Sequence, residues 1–120
     1  MSALTYFVGI DVAKASLDLA VRPTGETWQV ANEASSLPEL IARLGALPPA
    51  LVVLEATGGY EHLVVAALAT AGLPVVVANP RQVRDFGRAV GQLAETDRID
   101  AALLALFAER VRPEPRALPD

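Results

Sequence analysis

The hydrophobic period of this chain changes partway along, from two residues to about 3.6, and that change restricts the fold more than any other feature. Residues 6–11 form a short apolar strand ending in Asp11. Residues 16–21 alternate, with Leu17, Leu19 and Val21 on one side and Asp18 and Ala20 on the other, and residues 27–32 alternate again through Trp28 and Val30. A tight turn joins the first two segments, and Pro23-Thr24-Gly25 is a turn sequence between the second and third. Three strands therefore come first, as an antiparallel meander.

From Ser36 the period is helical. Ser36 with Glu39 three residues later reads as a capping box, and Leu37, Leu40, Ile41 and Leu44 then share one face before Gly45. Residues 51–54 are apolar without alternation, as in a central parallel strand covered on both sides, and Glu55 closes that run. After Gly58-Gly59, residues 60–71 read as a helix apolar nearly all round, closed by Gly72, with a last buried strand at 75–78. Residues 63–80 carry no charge, which raises the question of a membrane span, but Gly72 and Pro74 divide the stretch into a buried helix and a buried strand. Asn79 caps a further helix with Pro80 at its first position. That helix is expected to bury Val83, Phe86 and Val90 and to turn Arg81, Arg84 and Arg88 outward. Thr96 is placed to cap a final helix burying Ile99, Leu103, Leu106 and Phe107, and Pro113, Pro115 and Pro119 end it.

The resulting order is strand, strand, strand, helix, strand, helix, strand, helix, helix, with right-handed crossovers after the meander. It predicts an α/β domain of RNase H-like (RuvC-like) type, a mixed five-stranded sheet with helices on both faces. Residues 1–111 read as that domain and 112–120 as a proline-rich linker toward a further C-terminal region. An apolar fraction of 52% suffices for one core, and the absence of cysteine excludes thiolate metal sites and disulfide staples, in keeping with a cytoplasmic setting. A net charge of −4 argues against a DNA-coating protein, though not against a nuclease, whose site is itself acidic.

Four acids stand out by position. Asp11 and Glu55 end apolar strands that this fold makes parallel neighbours, so their carboxylates meet at the sheet edge where open α/β sheets place their sites. Asp97 and Asp100, three apart, fall on one face of the last helix and are expected to approach the same place. Two carboxylates about 4 Å apart repel by about 4 kcal/mol at an effective dielectric of 20, so the group calls for a counter-cation. For oxygen ligands alone that cation is Mg2+ or Mn2+, and a two-metal site serves phosphodiester chemistry without a nucleophilic side chain. Taken singly, Asp11 also reads as a turn cap and Asp97 as an acid placed against a helix dipole. Arg81, Arg84 and Arg88 form either a phosphate-binding stripe or a solvated face, and Lys14 reads as a phosphate contact or a plain surface lysine. His62 is expected to be structural, and Trp28 to pack at the core margin.

The segments Gly9-Ile10-Asp11-Val12-Ala13-Lys14, Glu55-Ala56-Thr57-Gly58-Gly59-Tyr60 and Thr96-Asp97-Arg98-Ile99-Asp100-Ala101, with Asn79-Pro80-Arg81 between them, resemble the DEDD transposases. That family includes Piv-type DNA invertases and bridge-RNA-guided recombinases. The resemblance implies a RuvC-like N-terminal domain, metal-binding acids at Asp11, Glu55, Asp97 and Asp100, and a separate C-terminal domain carrying a catalytic serine. It further implies DNA as partner, a guide RNA in the RNA-guided members, no membrane, and a homo-oligomer in the full-length protein. Glu95 stands where the family often has lysine, which removes an expected basic contact. Without the serine domain, this chain is not expected to complete strand exchange. Two readings compete: a metal- or nucleic-acid-binding module that cleaves nothing, and a sugar-kinase or actin-like ATPase lobe. The latter needs a glycine-rich phosphate turn, and residues 12–15 offer none.

Overall fold

Strands β1 (Phe7–Val12), β2 (Ser16–Arg22) and β3 (Thr27–Ala31) form the meander, and the chain then crosses back twice through helices to add β4 (Leu51–Glu55) and β5 (Val75–Ala78). The structure is a computed structural model, and it describes residues 4–93 and 98–115. The sheet order is β3-β2-β1-β4-β5, with β1–β2 and β2–β3 antiparallel and β1–β4 and β4–β5 parallel. This is the expected mixed sheet.

Period two along the strands sorts their side chains between two cores. Val8, Ile10, Val12, Leu17, Leu19, Val21, Val52 and Leu54 face helices α1 (Leu37–Ala46) and α2 (His62–Thr70), which contribute Leu40, Leu44, Val64 and Leu68. On the other face Phe7, Leu51, Val53 and Ala78 meet α3 (Pro80–Ala89) and α4 (Ala101–Val111) through Val83, Leu103, Leu104 and Phe107. Phe86 meets Phe107 edge to face at 5.5 Å. At the sheet margin Trp28 is half-buried, with the Arg43 guanidinium 3.7 Å above its ring, so β3 is clasped to α1.

One contact fixes how α4 lies on the sheet. A Cβ on Gly9 would stand 2.2 Å from the Ala101 carbonyl oxygen and 2.3 Å from the Ala105 nitrogen. Only glycine at this point of β1 lets the helix backbone come so close, and Ala20, Ala101 and Ala105 complete the small-residue contact. The first turn of α4 is thereby brought down beside the end of β1.

Several local expectations are corrected. Ser36 precedes α1 with helical dihedrals and makes no side-chain cap, because a 3-10 turn (Ala34–Ser36) leads in and Pro38, the second helical residue, has no N–H to cap. Helix α2 starts at His62 rather than at 60, since Gly58 and Gly59 at positive φ and a following turn occupy the intervening residues. Strand β5 is an edge strand with Val77 41% exposed, not a fully buried one. Val90 is exposed because α3 ends at Ala89, and Gly87 takes the buried place above Leu93 and Leu103 instead. Arg84 is half-buried, unlike the outward Arg81 and Arg88. Helix α4 begins at Ala101, and the expected Thr96 cap lies outside the described residues. Among the described residues no helix is long and apolar enough to cross a membrane.

Candidate active site at the carboxyl edge of the sheet

Parallel pairing puts Gly9 beside Val53 and Ile10 beside Leu54, so Asp11 and Glu55 are the next side chains on adjacent strands at the edge where both run out. They share the α4 face with Phe7, Gly9, Leu51 and Val53, because period two gives residues 7, 9 and 11 and residues 51, 53 and 55 one side each. Strand β1 runs one residue past Asp11, to Val12. Asp11 is buried at 7% exposure and Glu55 is half-buried. Burial pushes both carboxyls above their ordinary range. Asp18 and Asp100 push Asp11 further up, Asp11 does the same to Glu55, and arginines pull each part of the way back.

Asp100 is the N-cap of α4, where its Oδ1 accepts from the Leu103 N–H at 2.8 Å. It therefore stands before the helix rather than on its face, and Asp97 lies outside the described residues. Asp11 and Asp100 nevertheless line one open groove of about 450 Å³, together with Asp18 and Gln29. Asp18 had not been singled out as a site residue. It sits directly opposite Asp11 in the β1–β2 register and accepts from Gln29 Nε2 at 2.9 Å. The tight turn at residues 13–15 would have revealed it, because a hairpin that short fixes which residues face each other.

A cation already attends the acids. One terminal nitrogen of Arg98 donates to Asp11 Oδ2 at 2.8 Å, although the Arg98 side chain is 74% exposed and that of Asp11 only 9%. The same guanidinium, with that of Arg84 on α3, eases the charge on Glu55. Arg98 and Asp11 are 87 positions apart in sequence. Among the described residues no three acid or histidine side chains form a closed ligand cluster. They supply a carboxylate pair, a third acid at the rim and an arginine between.

The turn after Glu55 is held by a residue the sequence reading passed over. Glu61 is 4% exposed, and its Oε1 accepts from the Thr57 N–H at 2.7 Å and the Gly59 N–H at 3.1 Å. Burial opposes its charge, but the N–H groups of Thr57, Gly59 and Glu61 itself, with His62, outweigh burial and lower its pKa. An acid two residues after Gly58-Gly59 was the available signal. Histidine 62 is not enclosed: its side chain is 84% exposed, with Nε2 3.5 Å from Glu61 Oε2. Lys14 is exposed on the β1–β2 turn and lines a second groove with Asn32, Gly59, Tyr60 and His62. Asn32 Nδ2 donates to the Ala13 and Tyr60 carbonyls and so ties the turns after β1 and β4 together. Of the arginine stripe, Arg81 is exposed, Arg84 faces the Glu55 charge, and Arg88 pairs with Asp85 at 2.9 Å.

Comparison with known proteins gives the family and the fold. The profile of the IS110-type DEDD family, described as Transposase, matches residues 8–120. The pilin gene-inverting protein of Moraxella lacunata is 28% identical over 114 residues, covering 89% of this chain. The chain spans 35% of that relative's length. Among solved structures, Thermus thermophilus RuvC in complex with a Holliday junction substrate superposes with a TM-score of 0.61 at 20% identity, covering 94% of this chain and 100% of RuvC. A second T. thermophilus RuvC structure gives 0.53 at 21% identity, covering 92% and 99%. The fold is therefore the RuvC-like, RNase H-like one.

Proposed function

The chain belongs to the IS110-type DEDD transposase family, and from that premise we propose that it is the divalent-metal domain that cleaves and joins DNA strands in transposition or DNA inversion. The observation that carries this reading is the meeting of Asp11 and Glu55 on one face at the ends of two parallel strands, both with raised pKa values. Burying two like charges together is costly, and a fold keeps such a pair where a cation is to be bound. An arginine donating to Asp11 supports the same view, since it supplies positive charge at the place where an oxygen-only donor set would take a metal.

In this reading Asp11 and Glu55 hold Mg2+ or Mn2+ from adjacent strands. Asp100, whose Oδ1 is committed to its helix cap, offers Oδ2, and Asp97 is the fourth ligand. Bound divalent ions supply charge neutralisation and polarisation of the phosphodiester, with water or a 3′-hydroxyl as attacking group. The protein's own part is positioning. Gly9 sets the height of α4 and thus of Asp100, Glu61 fixes the turn behind Glu55, and Lys14, Arg81, Arg84 and Arg88 serve as phosphate contacts. Residues 1–111 form this domain, and 112–120 lead toward a C-terminal serine domain needed for complete strand exchange. DNA is the partner, with a guide RNA if the protein follows the RNA-guided members, in a cytoplasmic homo-oligomer of the full-length protein.

Titration calorimetry with Mg2+ and Mn2+ tests the centre: wild type should take up the ion, and Asp11→Ala should not. Equal heats from both proteins would remove the metal site. In the full-length protein, Glu55→Ala should abolish recombination in cells, and retained activity would contradict a catalytic role.

A further inference from the structure

We infer that Arg98 is an exchangeable counter-ion: its guanidinium guards Asp11 in the metal-free protein and passes to a backbone phosphate of the bound DNA strand when a divalent cation takes the carboxylate. This rests on the metal-centre reading above. Three observations carry it. The first is an asymmetry of burial within one ion pair, where the acid is enclosed and the arginine lies mostly in solvent. An arginine held by packing would be expected to be covered, whereas this one reaches in from outside to a single carboxylate oxygen, its one hydrogen bond among the described residues.

The second is where that bond lies: the carboxylate Arg98 holds stands at the end of β1, beside the β4 end that carries Glu55, so the arginine sits on the pair that would hold the ion. A divalent ion and Arg98 compete for Asp11 Oδ2, and the ion carries twice the charge. The third is the tether. Ile99 is 2% exposed and Asp100 is fixed as the α4 cap, so the displaced side chain cannot go far from the site. A planar fork of donors released beside a phosphodiester matches the geometry of a phosphate better than that of any other group the strand presents.

The test uses the 120-residue chain as wild type, Arg98→Ala and Arg98→Lys. By calorimetry, Mn2+ should bind Arg98→Ala roughly threefold or more tightly than wild type, because a competing cation is gone, while Arg98→Lys stays close to wild type. Anisotropy of a labelled DNA duplex is then followed against salt, in Mn2+ and in EDTA. In Mn2+, Arg98→Ala should bind DNA more weakly, with a salt slope shallower by about one phosphate contact. In EDTA the substitution should leave the slope unchanged. Opposite effects on metal and on DNA are the signature of exchange, and a residue that merely supports the fold would weaken both. Unchanged or weaker Mn2+ binding by Arg98→Ala, with wild type binding normally, overturns the exchange and leaves the metal centre standing. No Mn2+ uptake by wild type overturns both.

Discussion

Glu61 shows how a single side chain sustains the neighbourhood of the site without belonging to it. Its buried carboxylate closes the turn at residues 57–59, where Gly58 and Gly59 adopt positive φ and leave N–H groups pointing inward. Truncating it strands two donors inside the protein, so Glu61→Ala should cost about 2–3 kcal/mol in denaturant unfolding. Glu61→Gln keeps an acceptor in place and should cost distinctly less, and equal losses for the two would show that the hydrogen bonds are not what matters. The residue was hard to read from sequence because its partners are backbone groups, which leave only the nearby Gly58-Gly59 as a trace in residue type. Asp11 and Glu55 were legible for the opposite reason: an acid ending an apolar run contradicts its surroundings, and the contradiction is visible in one dimension.

At the scale of elements, the order of the strands followed from period and the β1–β4 pairing from the RNase H-like order of elements, whereas the depth at which α4 sits did not follow from either. Gly9 reads in sequence as an unremarkable strand residue. In three dimensions it is the point where helix backbone meets strand backbone, and the obstructing atoms, the Ala101 carbonyl and the Ala105 nitrogen, are not side chains that can rotate away. Gly9→Ala should therefore lift α4 and cost about 3 kcal/mol, at the upper end of overpacking penalties. Gly87 makes the useful contrast. A Cβ there would meet the Leu93 Cβ at 2.8 Å, which moves only with its own backbone, and the Leu103 Cδ2 at 3.0 Å, which can turn away, so one fixed atom obstructs it rather than two. Gly87→Ala should cost less, about 1 kcal/mol, partly repaid by its better helix propensity. Thermal or chemical unfolding of the two variants side by side checks the ranking, and a larger loss at Gly87 would refute the view that the α4–β1 approach is the tighter constraint. The misplaced start of α4 has a related cause. Asp97 and Asp100 at helical spacing suggest one face, yet Asp100 satisfies the Leu103 N–H and so begins the helix after itself.

Across the whole molecule, site and stability pull in opposite directions, and pH exposes the conflict. Asp11 and Glu55 have raised pKa values in the fold, so the folded state holds their protons more tightly than the unfolded chain. The stability this confers is present below their unfolded values and is lost as pH rises through the folded ones. Glu61 is lowered, so its contribution is present above its unfolded value and disappears as pH falls through the folded one. Together they predict a metal-free protein most stable near the ordinary carboxylate values of about 4, and less stable at pH 7. Glu55→Gln removes one of the two opposed charges and should raise metal-free stability at pH 7 by roughly 0.5–1 kcal/mol, with a flatter fall between weak acid and neutrality. Saturating Mn2+ should restore the loss in wild type, adding about 2.7 kcal/mol at a hundredfold excess over Kd, and should do much less for Glu55→Gln. Thermal melts from pH 4 to 8 in EDTA and in Mn2+ read all of these at once. If the metal-free wild type were instead steadily more stable up to neutral pH, the strain assigned to the Asp11–Glu55 pair would not exist, and the argument that a cation is needed there would lose its physical ground.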